Sequence, residues 1–188
     1  MLYEFLKLGV SHILDINGVD HILFLVGLTI IYTIKDWKSV LWLATAFTIG
    51  HSVTLALAAL DAIHVNSNLI EILIALSIFI VAISNVFIIK IESGDTSSMR
   101  WKYLSAGLFG LIHGIGFSNF FSVMLAGDSL TIPLLGFNIG VEIAQLIIVS
   151  AVLIISHFLI KLIPRTPYII AVSSIIALWA VFLIMERI

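Results

Sequence analysis

The stretch Gly18-Val19-Asp20-His21-Ile22-Leu23-Phe24-Leu25 puts a carboxylate and an imidazole at the start of an apolar run. Ionisable groups entering hydrocarbon are costly and normally mark a site. His51, His113 and Glu142 recur within later apolar runs, and Asn138 lies one helical turn before Glu142 on the same face. Imidazole and carboxylate donors together suit borderline divalent ions such as nickel, cobalt, zinc or iron. Asn138 adds an oxygen ligand or a group that orients one. His12 and Asp15 precede the Asp20-His21 pair and come within reach of it if that segment folds over the mouth. The candidate metal ligands are therefore Asp20, His21, His51, His113, Glu142, Asn138 and His12.

Plain structural roles compete with each assignment. Asp is a favoured helix cap, which would account for Asp20. A lone intramembrane histidine such as His51 can simply bond a neighbouring helix, and His12 with Asp15 can form a solvated face. Glu142 is hardest to explain this way, because a mid-span carboxylate needs a partner or a proton. His64 and His157 read as lying outside the site, and Glu71 and Asn85 are weak candidates.

The elements that must position these groups are membrane helices. The chain has 188 residues, of which 61% are hydrophobic and 11% charged. Its mean hydropathy is +1.22. A soluble domain of this size cannot cover so much apolar surface. The apolar runs are continuous rather than alternating, which excludes a barrel. A net charge of −2 without a long basic run argues against nucleic acid as a partner. The absence of cysteine excludes disulfides and thiolate ligands. The first residues lack a basic n-region and a small-residue cleavage site, so they do not read as a removable signal peptide.

These patterns predict an all-α fold, a polytopic transmembrane bundle forming a single membrane domain over 1–188. It has about six spans, near residues 20–34, 39–60, 69–91, 101–126, 131–162 and 168–185, joined by polar loops. Residues 1–17 are amphipathic and too interrupted to span, which fits an interfacial or re-entrant helix. Lys35, Lys38, Lys90, Arg100, Lys102, Lys161 and Arg165 fall in or beside alternate loops. The positive-inside rule then puts both termini outside the cytoplasm. On that orientation His51 and His113 each lie roughly 18 Å above the inner end of their spans at the helical rise. Asn138 and Glu142 descend from the outer end to a comparable level, so the polar positions share one outer-half slab.

Four segments carry a family resemblance. They are Gly18-Val19-Asp20-His21-Ile22-Leu23-Phe24-Leu25, Phe47-Thr48-Ile49-Gly50-His51-Ser52-Val53-Thr54-Leu55, Gly110-Leu111-Ile112-His113-Gly114-Ile115-Gly116-Phe117 and Phe137-Asn138-Ile139-Gly140-Val141-Glu142. In this order and spacing they resemble the HupE/UreJ membrane proteins, most closely the second branch, over about residues 9–160. The resemblance implies a nickel or cobalt permease of six to seven spans, with ligands from the first span and later histidine motifs. The better-known branch has a second His before its His-Gly element and a Glu after it. Here Phe109 and Gly116 stand in those places.

Two functions follow as expectations. One is a divalent transition-metal permease, for nickel, cobalt or zinc, in a bacterial-type inner (plasma) membrane. Asp20 and His21 would capture the ion, and His51, His113 and Glu142 would receive it. The other is a membrane-embedded zinc-dependent hydrolase using the same cluster, with Asp20 or Glu142 as general base. A transporter is the preferred reading over an enzyme. The partners are the metal ion and the lipid bilayer, with a homo-oligomer left open.

Overall fold

The computed structural model describes residues 1–16, 18–63, 65–88, 97–125 and 130–188. His64, Lys90, the polar stretch 92–96 and the expected turn at 127–129 lie outside the described residues. Among the described residues the chain is helical, with no strand. Seven α-helices follow in order: α1 (Leu2–Ile13), α2 (Asp20–Thr29), α3 (Trp37–Ala59), α4 (Ser67–Ile88), α5 (Ser97–Leu125), α6 (Thr131–Leu159) and α7 (Arg165–Glu186). A 3-10 turn over Ile34–Asp36 precedes α3.

Local chemistry sets the boundaries. The Thr33 backbone N–H and hydroxyl both donate to Asp36 Oδ2, at 2.9 and 2.7 Å, and close the turn ahead of α3. Asp61 ends α3 in the left-handed region (φ 60°), and the Ala62 N–H reaches back to the Leu57 carbonyl. Asn66 Oδ1 accepts from the Asn68 and Leu69 N–H groups at the start of α4. Pro164 stands just before α7, where a proline removes no helical hydrogen bond.

Among the described residues four stretches are long and apolar enough to cross a membrane: Ile34–Ala59, Ser67–Phe87, Thr131–Leu159 and Arg165–Glu186. The expected first span is shorter than its apolar run suggested. Helix α2 has ten residues, about 15 Å of rise, roughly half of a hydrocarbon core. The Thr29 hydroxyl donates back to the Leu25 carbonyl at 2.6 Å where α2 stops. Helix α5 is long, with 29 residues.

Glycines decide how the helices meet. A Cβ on Gly50 would strike the Gly107 carbonyl, one on Gly110 the Phe47 carbonyl, and one on Gly114 the His51 carbonyl. Helices α3 and α5 therefore touch backbone to backbone, and they run parallel. The Thr54 hydroxyl adds a bond to the Leu111 carbonyl at 2.8 Å. A second parallel pair is built the same way. Gly9 of α1 abuts the Phe137 carbonyl, while Gly136 and Gly140 of α6 abut the Leu2 and Leu6 carbonyls. The amphipathic first segment is thus packed along α6, with Ile13 fully buried and Tyr3, Glu4, Lys7 and Ser11 exposed.

Helices α4 and α7 run antiparallel, joined by Asn85 Nδ2 near the Ser173 hydroxyl (3.3 Å) and by Arg187 at the Glu71 carbonyl (2.9 Å). Asn85 Nδ2 also donates to the Gly27 carbonyl of α2 at 2.8 Å. These pairings put the starts of α1, α4 and α6 at one end of the bundle, with the end of α7, while α2 begins deeper, beside the end of α1. Lys35, Lys38, Arg100, Lys102, Lys161 and Arg165 belong to the opposite end.

The two glycines of α5 separate sterics from propensity. Gly110→Ala drives a methyl into a carbonyl and should lower stability by about 1–3 kcal/mol, seen as a lower thermal midpoint in detergent. Gly107→Ala meets only the Ala46 carbonyl at 3.5 Å. It should be neutral or slightly stabilising, because alanine is the better helix former.

Candidate metal centre

The glycine crossings deliver four imidazoles to one place. His12 sits in the last turn of α1, His21 is the second residue of α2, and His51 and His113 lie in the middle of α3 and α5. The ring centroids of His12 and His21 are 4.5 Å apart, His12 and His51 5.7 Å, His21 and His51 6.2 Å, and His21 and His113 5.0 Å. One ligand nitrogen from each of His12, His21 and His51 falls within 4.8 Å of the others. A tetrahedral centre with metal–nitrogen bonds near 2.0–2.1 Å spaces its nitrogens about 3.4 Å apart. The set therefore closes on an ion with movements of about an ångström.

His51 and His113 are fully buried and His21 nearly so. His12 Nε2, His21 Nε2, His113 Nδ1 and both ring nitrogens of His51 are buried without a hydrogen-bond partner. Orphaned buried polar groups of this kind cost about 1–3 kcal/mol each, and an ion bound among them would take one lone pair from each ring it ligates. His113 shows how the ring is prepared. The Ser77 hydroxyl donates its only proton to the Ile74 carbonyl at 2.6 Å. It can therefore only accept at its second contact, 3.2 Å from His113 Nε2. The proton of the neutral ring is thus on Nε2, and Nδ1 presents its lone pair.

Aromatic rings wall the centre. Phe117 lies 3.9 Å from the His12 ring, and Phe137 stacks on His51 at 5.9 Å. On the other side Phe24 and Phe47 pack against His113 at 5.2 and 5.1 Å, and Phe109 lies against Phe24 at 5.5 Å.

The remaining candidates are placed otherwise. Asp20 Oδ2 accepts from Arg187 Nη2 at 2.8 Å, while its Oδ1 is buried and unpartnered. Glu142 faces α3, accepting from the Thr45 and Thr48 hydroxyls at 2.7 and 2.6 Å. The Gln145 amide oxygen lies 3.0 Å from the same Thr48 hydroxyl. Asn138 Oδ1 is buried and unpartnered. The grouped ligand nitrogens are those of His12, His21 and His51, without Asp20, Glu142 or Asn138. His157 packs its ring on Phe158 near the far end of α6. Glu71 is a partner of Arg187, and Asn85 is a tie between helices.

Sequence reasoning missed Ser77, Gln145 and the role of Arg187. Gln145 follows Glu142 by three residues on one helical face, a signal that was present. Ser77 and Arg187 gave no local signal.

An all-helical membrane protein with a buried polyimidazole centre is the class these features define. A family model described as HupE / UreJ protein matches residues 1–187, and the chain belongs to that family. No curated protein and no solved structure matches it.

Calorimetric titration of untagged protein with nickel or zinc tests the centre. His21→Ala and His51→Ala should each abolish stoichiometric binding, and His157→Ala should leave it intact. Ser77→Ala, which frees the His113 ring to change tautomer, should weaken affinity about 10–100-fold.

Proposed function

We propose that this protein passes a divalent transition-metal ion, of the nickel, cobalt or zinc class, across a membrane by way of the histidine centre. The observation that carries this reading is the set of five partnerless imidazole nitrogens buried on four different helices. Nitrogen donors without a carboxylate favour d-block ions over magnesium or calcium, which prefer oxygen. The ion is cargo, held on His12, His21 and His51, with His113 Nδ1 beside them. Family membership supports the same direction.

The arrangement also supports a route. Next to His113 the rings of Phe24 and Phe47 pack together, and Phe109 lies against Phe24. Phe109 also lines a half-open pocket of about 370 Å³ with Asn85, Ser84, Ser105, Tyr32 and Lys102, and with Ile80 and Trp101 at its exposed rim. A route from the centre to that pocket would pass these aromatic rings. On this reading α2 and α5 complete six membrane-crossing elements, α2 with the turn that follows it. The basic end faces the cytoplasm of an inner (plasma) membrane, and both termini face out.

A zinc hydrolase needs a general base beside its metal. Among the described residues no carboxylate is grouped with the ligand nitrogens of His12, His21 and His51, so the geometry supports transport better than hydrolysis.

Proteoliposome uptake tests the proposal. Wild-type protein should accumulate nickel, cobalt or zinc above empty vesicles, and His51→Ala should not. Failure of all three ions with protein that still binds metal would overturn it. Phe109→Ala, which removes one of these rings, should raise the initial uptake rate severalfold at unchanged binding affinity. A rate that falls together with thermal stability would make the ring a packing residue only.

A further inference from the structure

Arg187 lies just past the end of α7, beside the mouth of the histidine centre. Its guanidinium is shared. Nη2 donates to Asp20 Oδ2 at 2.8 Å, Nη1 donates to the Glu71 carbonyl at 2.9 Å, and Nε lies 3.7 Å from the Glu71 carboxylate. The pair with Asp20 is largely withdrawn from solvent, at 17% and 16% side-chain exposure, so it is less screened than a surface ion pair. It also joins the start of α2 to the start of α4 and the end of α7.

Asp20 is adjacent in sequence to His21. One cation thus occupies the carboxylate next to a histidine of the centre. The other oxygen of that carboxylate, Oδ1, is buried and bare.

We infer that Arg187 is a tethered stand-in for the cargo, holding the place of an incoming ion on Asp20 and setting which charge can displace it. The inference rests on the permease reading. Two carboxylates, Asp20 and Glu71, share the one guanidinium. A monovalent ion offers no more charge than the guanidinium and must compete with a tethered fork of donors at high effective concentration. A divalent ion interacts twice as strongly at the same distance. It can therefore take Asp20 from Arg187. Arg187 is a specificity-determining residue that acts through Asp20 and is not itself a ligand.

The test is metal uptake by reconstituted full-length protein. Relative to wild type, Arg187→Gln should lower the KM for nickel severalfold and make uptake newly sensitive to sodium and potassium. Free guanidinium at low millimolar concentration should raise the KM of Arg187→Gln back toward wild type and leave wild type unchanged. A structural role alone would not produce that rescue. Arg187→Lys, which keeps the charge and the fold but loses the fork, should fall between the two. In the Asp20→Asn background, Arg187→Gln should bring no further fall in KM. An unchanged or raised KM in Arg187→Gln without guanidinium rescue overturns the inference and leaves the permease reading standing. If Arg187→Gln does not fold, an Arg187→Lys protein with wild-type KM and wild-type resistance to sodium overturns it equally. Wild-type protein that transports no metal overturns both.

Discussion

The metal centre depends on backbones that touch. At Gly50, Gly110 and Gly114 the α3 and α5 main chains come so close that a methyl group has no place between them. Gly9, Gly136 and Gly140 do the same for α1 and α6. Apolar side chains gain little in a bilayer by facing one another instead of acyl chains, so close packing must drive association. Widening either crossing by one side chain would separate imidazoles whose nitrogens now lie within 4.8 Å of one another. The glycines beside His51 and His113 are therefore as much a part of the centre as the rings.

The centre is built from neutral donors inside an apolar wall. Phe24, Phe47, Phe117 and Phe137 contact the histidine rings, and the carboxylates that would balance an ion are engaged elsewhere. A divalent ion there is held by coordination and receives little charge compensation. The Glu142, Thr45 and Thr48 group lies on the α3–α6 contact, where its hydrogen bonds tie two long helices together.

Much of this was legible in the residues. Continuous apolar runs marked the helices, and the structure moves the ends of α3, α6 and α7 by only a few residues. Counting the helical rise put His51 and His113 at one depth, and the adjacent glycines signalled close crossings. Depth, however, is only one coordinate. Counting residues says how far along a helix a side chain lies and nothing about which neighbour it faces. Glu142 was therefore grouped with histidines at its level, although it faces threonines. Asp20 was read as a free mouth ligand because its partner is 167 positions away. The length of α2 was overestimated because hydropathy continues past Thr29 while the helix does not.

The parallel pairing of α1 with α6 has a temporal consequence. Helices adjacent in sequence can pack as soon as both are made, but α1 has to wait while more than a hundred further residues are added. Synthesis proceeds from the N-terminus, so the helix bearing His12 is made well before the helix it packs along. The polyimidazole pocket is complete only once α6 has been inserted, and the Arg187 contact closes later still. A chain still lacking α6 therefore carries His12, His21 and His51 without the packing that groups their rings.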